Sequence, residues 1–132
     1  MIIGIGIDLQ DIGEFGRTLS RSGDEYVQRV FTAMESAYCR SLVDSTSSFA
    51  ARFAAKEAAI KALGVSGREG LSWHDFEVVR DASGAPTMRL SGVAANVALG
   101  NNIDHLLVSL THSRLTAGAV VIAETDNGRE TR

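Results

Sequence analysis

The chain opens in alternation and then changes period. Ile3, Ile5 and Ile7 fall on one side of an extended segment, and Gly4, Gly6 and Asp8 fall on the other. The pattern predicts a strand over Ile2–Leu9. Its second side is bare backbone ending in a carboxylate, open to close approach by another element or a ligand. From residue 11 the spacing turns helical, with Ile12, Phe15 and Leu19 inward and Glu14, Arg17 and Arg21 on the polar side to residue 21. A second short helix is predicted from Asp24 to Val30. Thr32 with Glu35 three residues on forms a capping box, which starts a third helix running to about Val43. The polar stretch from Asp44 to Ser48 interrupts the pattern and supplies a cap for a fourth helix.

That fourth helix is the strongest feature of the sequence. It is rich in alanine and free of proline, carries Phe49, Phe53, Ile60 and Leu63 at helical spacing, and stops at Gly64, where a left-handed residue is wanted. Arg52 and Lys56 lie one turn apart, and so do Glu57 and Lys61. Lys56 and Lys61 are the only lysines in the chain. Taken alone, a Glu–Lys pair at this spacing is ordinary helix-surface chemistry, contributing roughly 0.3–0.5 kcal/mol.

Gly64, Gly67 and Gly70 mark a connection that ends near Ser72. Phe76–Arg80, a turn at Asp81–Gly84 and Pro86–Leu90 read as a hairpin. Ser91 is placed to cap a helix from Gly92 to about Leu99, and strands come next over Ile103–Thr111 and Ala117–Glu124. The last is apolar on both sides, so it is either central in a sheet or covered by another subunit. The order of elements predicts one compact α+β domain over residues 1–124, with a mostly antiparallel sheet packed with helices. The polar residues 125–132 are expected to fray.

Charge and cysteine usage narrow the function. A net charge of −3 argues against coating nucleic acid or an anionic membrane. The single Cys39 forms no internal disulfide and suits a reducing cytoplasm. No targeting segment or membrane span is visible.

Several chemistries fail on spacing. Leu9 stands where a dinucleotide fingerprint needs its third glycine, no two of His74, His105 and His112 have zinc spacing, and Ser113 lacks a nucleophile-elbow setting. What remains is a set drawn from three stretches. Asp8 on its own reads equally well as a helix cap, and Ser109, Thr111 and His112 as an ordinary strand end. Together, Asp8 and Glu57 suit a hard divalent ion that shares its ligands with phosphate oxygens. Arg52, Lys56 and Lys61 suit a polyanion. This is an inventory for phosphoryl chemistry, and it does not name a substrate.

Gly4–Asp8, Arg52–Gly64 and Val108–His112 resemble the three signature motifs of the holo-acyl-carrier-protein synthases, which are small 4′-phosphopantetheinyl transferases. The resemblance covers nearly the whole chain, and its central motif is the most specific. It implies that fold and transfer of the phosphopantetheine arm of coenzyme A to a serine of an apo acyl carrier protein, free or part of a synthase, in fatty acid biosynthesis. It also implies release of adenosine 3′,5′-bisphosphate. Carried over by residue, Asp8 and Glu57 would bind Mg²⁺. Lys61 would neutralise charge on the pyrophosphate and assist the leaving group. On chemical grounds Glu57, directly or through a metal-bound water, is the candidate base for the serine proton. Arg52, Ser109, Thr111 and His112 would lie along the coenzyme A site. A homotrimer with sites between subunits is implied as well.

Two positions depart from the family. Many members have a basic residue early in the first helix, where this chain has Gly13 and Glu14. Arg17 and Arg21 are then the candidates for carrier contact. Ser113 stands where many members have Glu. The competing functions are a metal-dependent hydrolase of nucleotide pyrophosphates and a non-catalytic module that binds coenzyme A or a carrier.

Overall fold

Glycine on one strand and alanine on one helix let two backbones touch, and the rest of the fold is arranged around that contact. A computed structural model describes residues 1–65 and 69–126. Its elements are β1 (Ile2–Asp11), α1 (Ile12–Val30), α2 (Ala33–Arg40), α3 (Ser45–Leu63), a 3₁₀ turn (Trp73–Asp75), β2 (Phe76–Arg80), β3 (Pro86–Leu90), α4 (Gly92–Gly100), β4 (His105–His112) and β5 (Thr116–Glu124). Strands β1, β5 and β4 form an antiparallel sheet in that order, and β2 pairs with β3 in a separate hairpin. The α+β class and the antiparallel sheet are as expected.

α3 crosses the inner side of the large sheet. Any side chain at Gly4 or Gly6 would collide with the backbone carbonyl of Ala62 or Ala58. Small residues therefore set the distance between strand and helix. Ala54, Ala55, Ala58 and Ala59 are fully buried, so α3 is enclosed on more sides than an apolar stripe implies. β5 is the central strand, which accounts for its apolar character on both faces.

Several boundaries differ from expectation for local reasons. α1 is continuous in span but broken at Gly23 (φ 57°, ψ −144°), which separates the two helical pieces read from the sequence. α2 stops at Arg40, short of Val43, and α3 begins at Ser45 behind the Asp44 side chain, which accepts from the Ser47 amide at 3.2 Å. Gly64 closes α3 in the left-handed region at φ 69°. Ser91 makes no side-chain cap to α4; Asp75 accepts from the Ala94 amide at 3.4 Å instead. Gly67 lies outside the described residues. The tail expected to fray from Thr125 is anchored at its start. Thr125 is buried and donates its amide to the Met1 carbonyl, while the Asp126 amide donates to Asp104 at 2.7 Å.

The isoleucine side of β1 points away from α3. Ile5, Ile7 and Leu9 are 63%, 64% and 67% exposed, and Leu107 on β4 is 51% exposed beside them. Among the described residues no helix is long and apolar enough to cross a membrane.

Candidate active site

The backbone contact of β1 with α3 brings three charged residues to one edge of the sheet. Lys61 Nζ donates to the Ile7 carbonyl at 2.9 Å and lies 3.4 Å from Asp8 Oδ1. Gln10 donates to the other Asp8 oxygen at 2.7 Å. Glu57 sits one turn before Lys61 on the same side of α3. Burial raises the Glu57 pKa above the ordinary glutamate value, the Asp8 charge raises it further, and Lys61 opposes both. Two carboxylates thus repel across a site with one cation. That donor set, two hard oxygen ligands, fits Mg²⁺, an ion that takes water and phosphate oxygens as its other ligands.

A cavity of 410 Å³ lies alongside, with Gln10, Phe15, Tyr26 and Phe53 in its wall. Arg17 and Arg21 line it too. Tyr26 is held above its usual pKa chiefly by burial; Arg29 lowers it, and the negative charge of Glu57 adds to the rise.

A second set faces elsewhere. Arg52 precedes Glu57 by five residues and Lys61 by nine, so it stands roughly 140° and 180° around the helix from them. It is 4% exposed, donates to Ser48 Oγ at 2.9 Å, and its guanidinium carbon stacks 4.6 Å from the Tyr38 ring centre. Lys56 corrects an expectation. It is fully buried, 2.8 Å from Glu35, and donates to the carbonyls of Trp73 and Phe76, so it is spent inside the fold and does not reach a ligand.

Register fixes where the β4 residues go. Asp8 pairs with Ala119, which pairs with Leu110. Ser109 and Thr111 flank Leu110 and therefore belong to the opposite face of the sheet, where both are exposed. Thr111 and His112 border a 260 Å³ cavity whose other wall includes Leu42, Asp44, Ser47 and Ser48. One chain therefore brings Asp8, Glu57 and Lys61 together at the β1 edge. It places Arg52, by way of Ser48, near Thr111 and His112 toward β4. It does not join the two sets.

Three residues escaped the sequence reading. Gln10 orients Asp8, and its place two residues on along the same strand face was a usable signal. Tyr26 and the buried role of Glu35 had none, since both depend on distant elements.

Known proteins resemble this chain in sequence and in fold. Residues 4–118 match the family model described as the 4′-phosphopantetheinyl transferase superfamily. The chain is 44% identical over 124 residues to a holo-[acyl-carrier-protein] synthase of Koribacter versatilis, covering 94% of this chain and 99% of that one. A synthase of the same name from Geobacter metallireducens is also 44% identical, with coverage of 94% and 98%. Among solved structures, holo-[acyl-carrier-protein] synthase of Neisseria meningitidis superposes with a TM-score of 0.86 at 28% identity, covering 95% of this chain and 100% of that one. The Helicobacter pylori enzyme, solved in complex with coenzyme A, gives a TM-score of 0.80 at 32% identity, with coverage of 91% and 99%.

Proposed function

The chain belongs to the 4′-phosphopantetheinyl transferase superfamily, and on that premise we propose a mechanism and an assembly for it. It is an enzyme of the holo-[acyl-carrier-protein] synthase type, transferring 4′-phosphopantetheine from coenzyme A to an apo acyl carrier protein. The observation that carries the mechanism is the meeting of Asp8, Glu57 and Lys61 at the β1 edge.

Asp8 and Glu57 are the residues to hold Mg²⁺, which when bound neutralises pyrophosphate oxygens and polarises the phosphorus. The carrier serine oxygen attacks the β-phosphorus of coenzyme A, and the bond from that phosphorus to the bridging oxygen breaks. Glu57, directly or through a metal-bound water, is the candidate base that takes the serine proton. Lys61, half exposed beside Asp8, would neutralise the charge on the oxygen that leaves with adenosine 3′,5′-bisphosphate. Arg17 and Arg21, in the wall of the adjoining cavity, are placed to meet an acidic carrier.

The working form is a homotrimer. Ile5, Ile7, Leu9 and Leu107 expose an apolar sheet face on the single chain, and the two halves of the site point apart within it. A neighbouring copy covers the face and presents Ser109, Thr111 and His112 to the Asp8 set.

The test is intact-mass analysis of apo acyl carrier protein incubated with the protein, coenzyme A and Mg²⁺. A gain of one phosphopantetheine, lost with chelator or with Asp8→Ala, is the expected result. Coenzyme A breakdown without transfer would replace this reading by a hydrolase, and an intact cofactor with several carriers would replace it by a binding module.

A further inference from the structure

The two oxygens of the Asp8 carboxylate are held differently. Gln10 donates its amide nitrogen to Oδ2 at 2.7 Å, and only that nitrogen can do so, because an ionised carboxylate offers acceptors alone. Oδ1 lies 3.4 Å from Lys61 Nζ. Asp8 and Gln10 are two apart on β1 and share a face, where their partners on β5 are Ala119 and Ala117, both buried. Alanine has nothing to offer a carboxylate. Among the described residues the Asp8 side chain therefore meets a cation at one oxygen and a neutral amide at the other. An arriving divalent ion feels these two contacts unequally. At Oδ1 it competes with the positive charge of Lys61, and the neutral Gln10 bond at Oδ2 is left in place. Asp8 is thus offered through a single oxygen.

We propose that Gln10 is a positioning residue that makes Asp8 a one-oxygen ligand and so selects a small octahedral ion, Mg²⁺ or Mn²⁺, over Ca²⁺. This rests on the metal site of the transferase reading above. A regular octahedron with ligands at about 2.0–2.1 Å takes one oxygen from each carboxylate, since the two oxygens of one carboxylate are too close together to fill two of its corners. Ca²⁺ accepts about six to eight looser ligands at about 2.3–2.6 Å and can take both oxygens. The Gln10 amide guards Oδ2 against that second mode. It also fixes the plane of the carboxylate, the usual work of a group that hydrogen-bonds a metal ligand. Gln10 is half-buried in the wall of the 410 Å³ cavity, so its replacement leaves no orphaned group in the core.

The experiment titrates the purified protein with Mn²⁺, reading the free ion by electron paramagnetic resonance, and measures Mg²⁺ and Ca²⁺ by the Mn²⁺ they displace. Bound Mn²⁺ should be lost in Asp8→Ala. Gln10→Met keeps the length of the side chain and removes the donor. It should melt with the wild type, weaken Mn²⁺ and Mg²⁺ about tenfold or more, and leave Ca²⁺ as tight or tighter. Gln10→Glu sets another carboxylate beside Asp8 and should move the balance further toward Ca²⁺. An unchanged ratio of Mn²⁺ to Ca²⁺ affinity in Gln10→Met overturns the proposal. Equal weakening of all three ions, the mark of a merely structural role, overturns it too, as does a wild type that binds no Mn²⁺. If the wild type transfers nothing to any carrier yet shows an ion preference that depends on Gln10, the transferase reading fails while the role of Gln10 stands.

Discussion

Gly6 and Ala58 are in backbone contact: a Cβ on the strand residue would overlap the carbonyl oxygen of the helix residue. The same added atom would stand 3.0 Å from the Ala62 amide nitrogen. Neither obstacle is the end of a flexible side chain, so the strand and helix would have to separate. Gly6→Ala should cost about 3 kcal/mol or more by overpacking, and thermal melting should show a drop of about 10 °C. Activity should fall with it, because Asp8 reaches Glu57 and Lys61 only through this contact. Gly100→Ala is the control. Its Cβ meets nothing within 4 Å, so the change should be neutral or slightly stabilising, and a large loss there would discredit the packing argument.

Lys56 and Glu35 form an ion pair whose side chains are both 0% exposed. Glu35 also accepts the amides of Thr32 and Val78, so it ties α2 to β2 while Lys56 ties α3 to the 73–76 turn. Lys56→Met strands a buried carboxylate and should cost about 3–5 kcal/mol in urea unfolding. Adding Glu35→Gln removes that charge while keeping an oxygen to accept an amide, and should recover part of the loss. Additive single effects would show that the two side chains are not coupled.

Glu57 links stability to chemistry with opposite signs. Its folded-state pKa is raised by burial and then by Asp8, against the pull of Lys61, so the folded state holds the proton more tightly than the unfolded chain. In chelator, stability should therefore fall as pH rises from the ordinary glutamate range through the raised value, with the penalty fully present above it. Glu57→Gln should melt higher than the wild type at neutral pH without metal, and it should transfer no phosphopantetheine. Added Mg²⁺ should stabilise the wild type but not the variant. A Glu57→Gln protein that melts lower in chelator, or that retains turnover, would remove the strained-carboxylate account.

The parts of this fold that could be read from the sequence are those fixed locally. The hairpin boundaries at Arg80 and Pro86 come from the Asp81–Gly84 turn, and the end of α3 comes from Gly64. Cap geometry around Thr32 was equally local. What depends on a distant element was not legible. Lys56 has the spacing of a surface cation and points inward because Glu35, twenty-one residues earlier in the chain, awaits it. The Ser91 cap position is filled by Asp75 from another element. Period two showed that β1 has an apolar side but not that α3 would choose the glycine side. The division of the candidate site needed the β1–β5–β4 register, which alone sets Ser109 and Thr111 on the far face from Asp8.

That division yields the sharpest test of assembly. In a head-to-tail ring each site takes Asp8 from one subunit and His112 from its neighbour. Asp8→Ala and His112→Ala should each be inactive or nearly so as pure proteins. Dissociated, mixed in equal amounts and reassembled, they should regain activity. A site is whole only where a subunit with native Asp8 meets a neighbour with native His112, which random mixing provides at about a quarter of the sites. Ile7→Asp, placed on the exposed apolar face, should prevent reassembly and abolish the recovery, and sedimentation should show the monomer. Mixed variants that form trimers yet stay at the sum of their separate activities would confine the whole site to one chain.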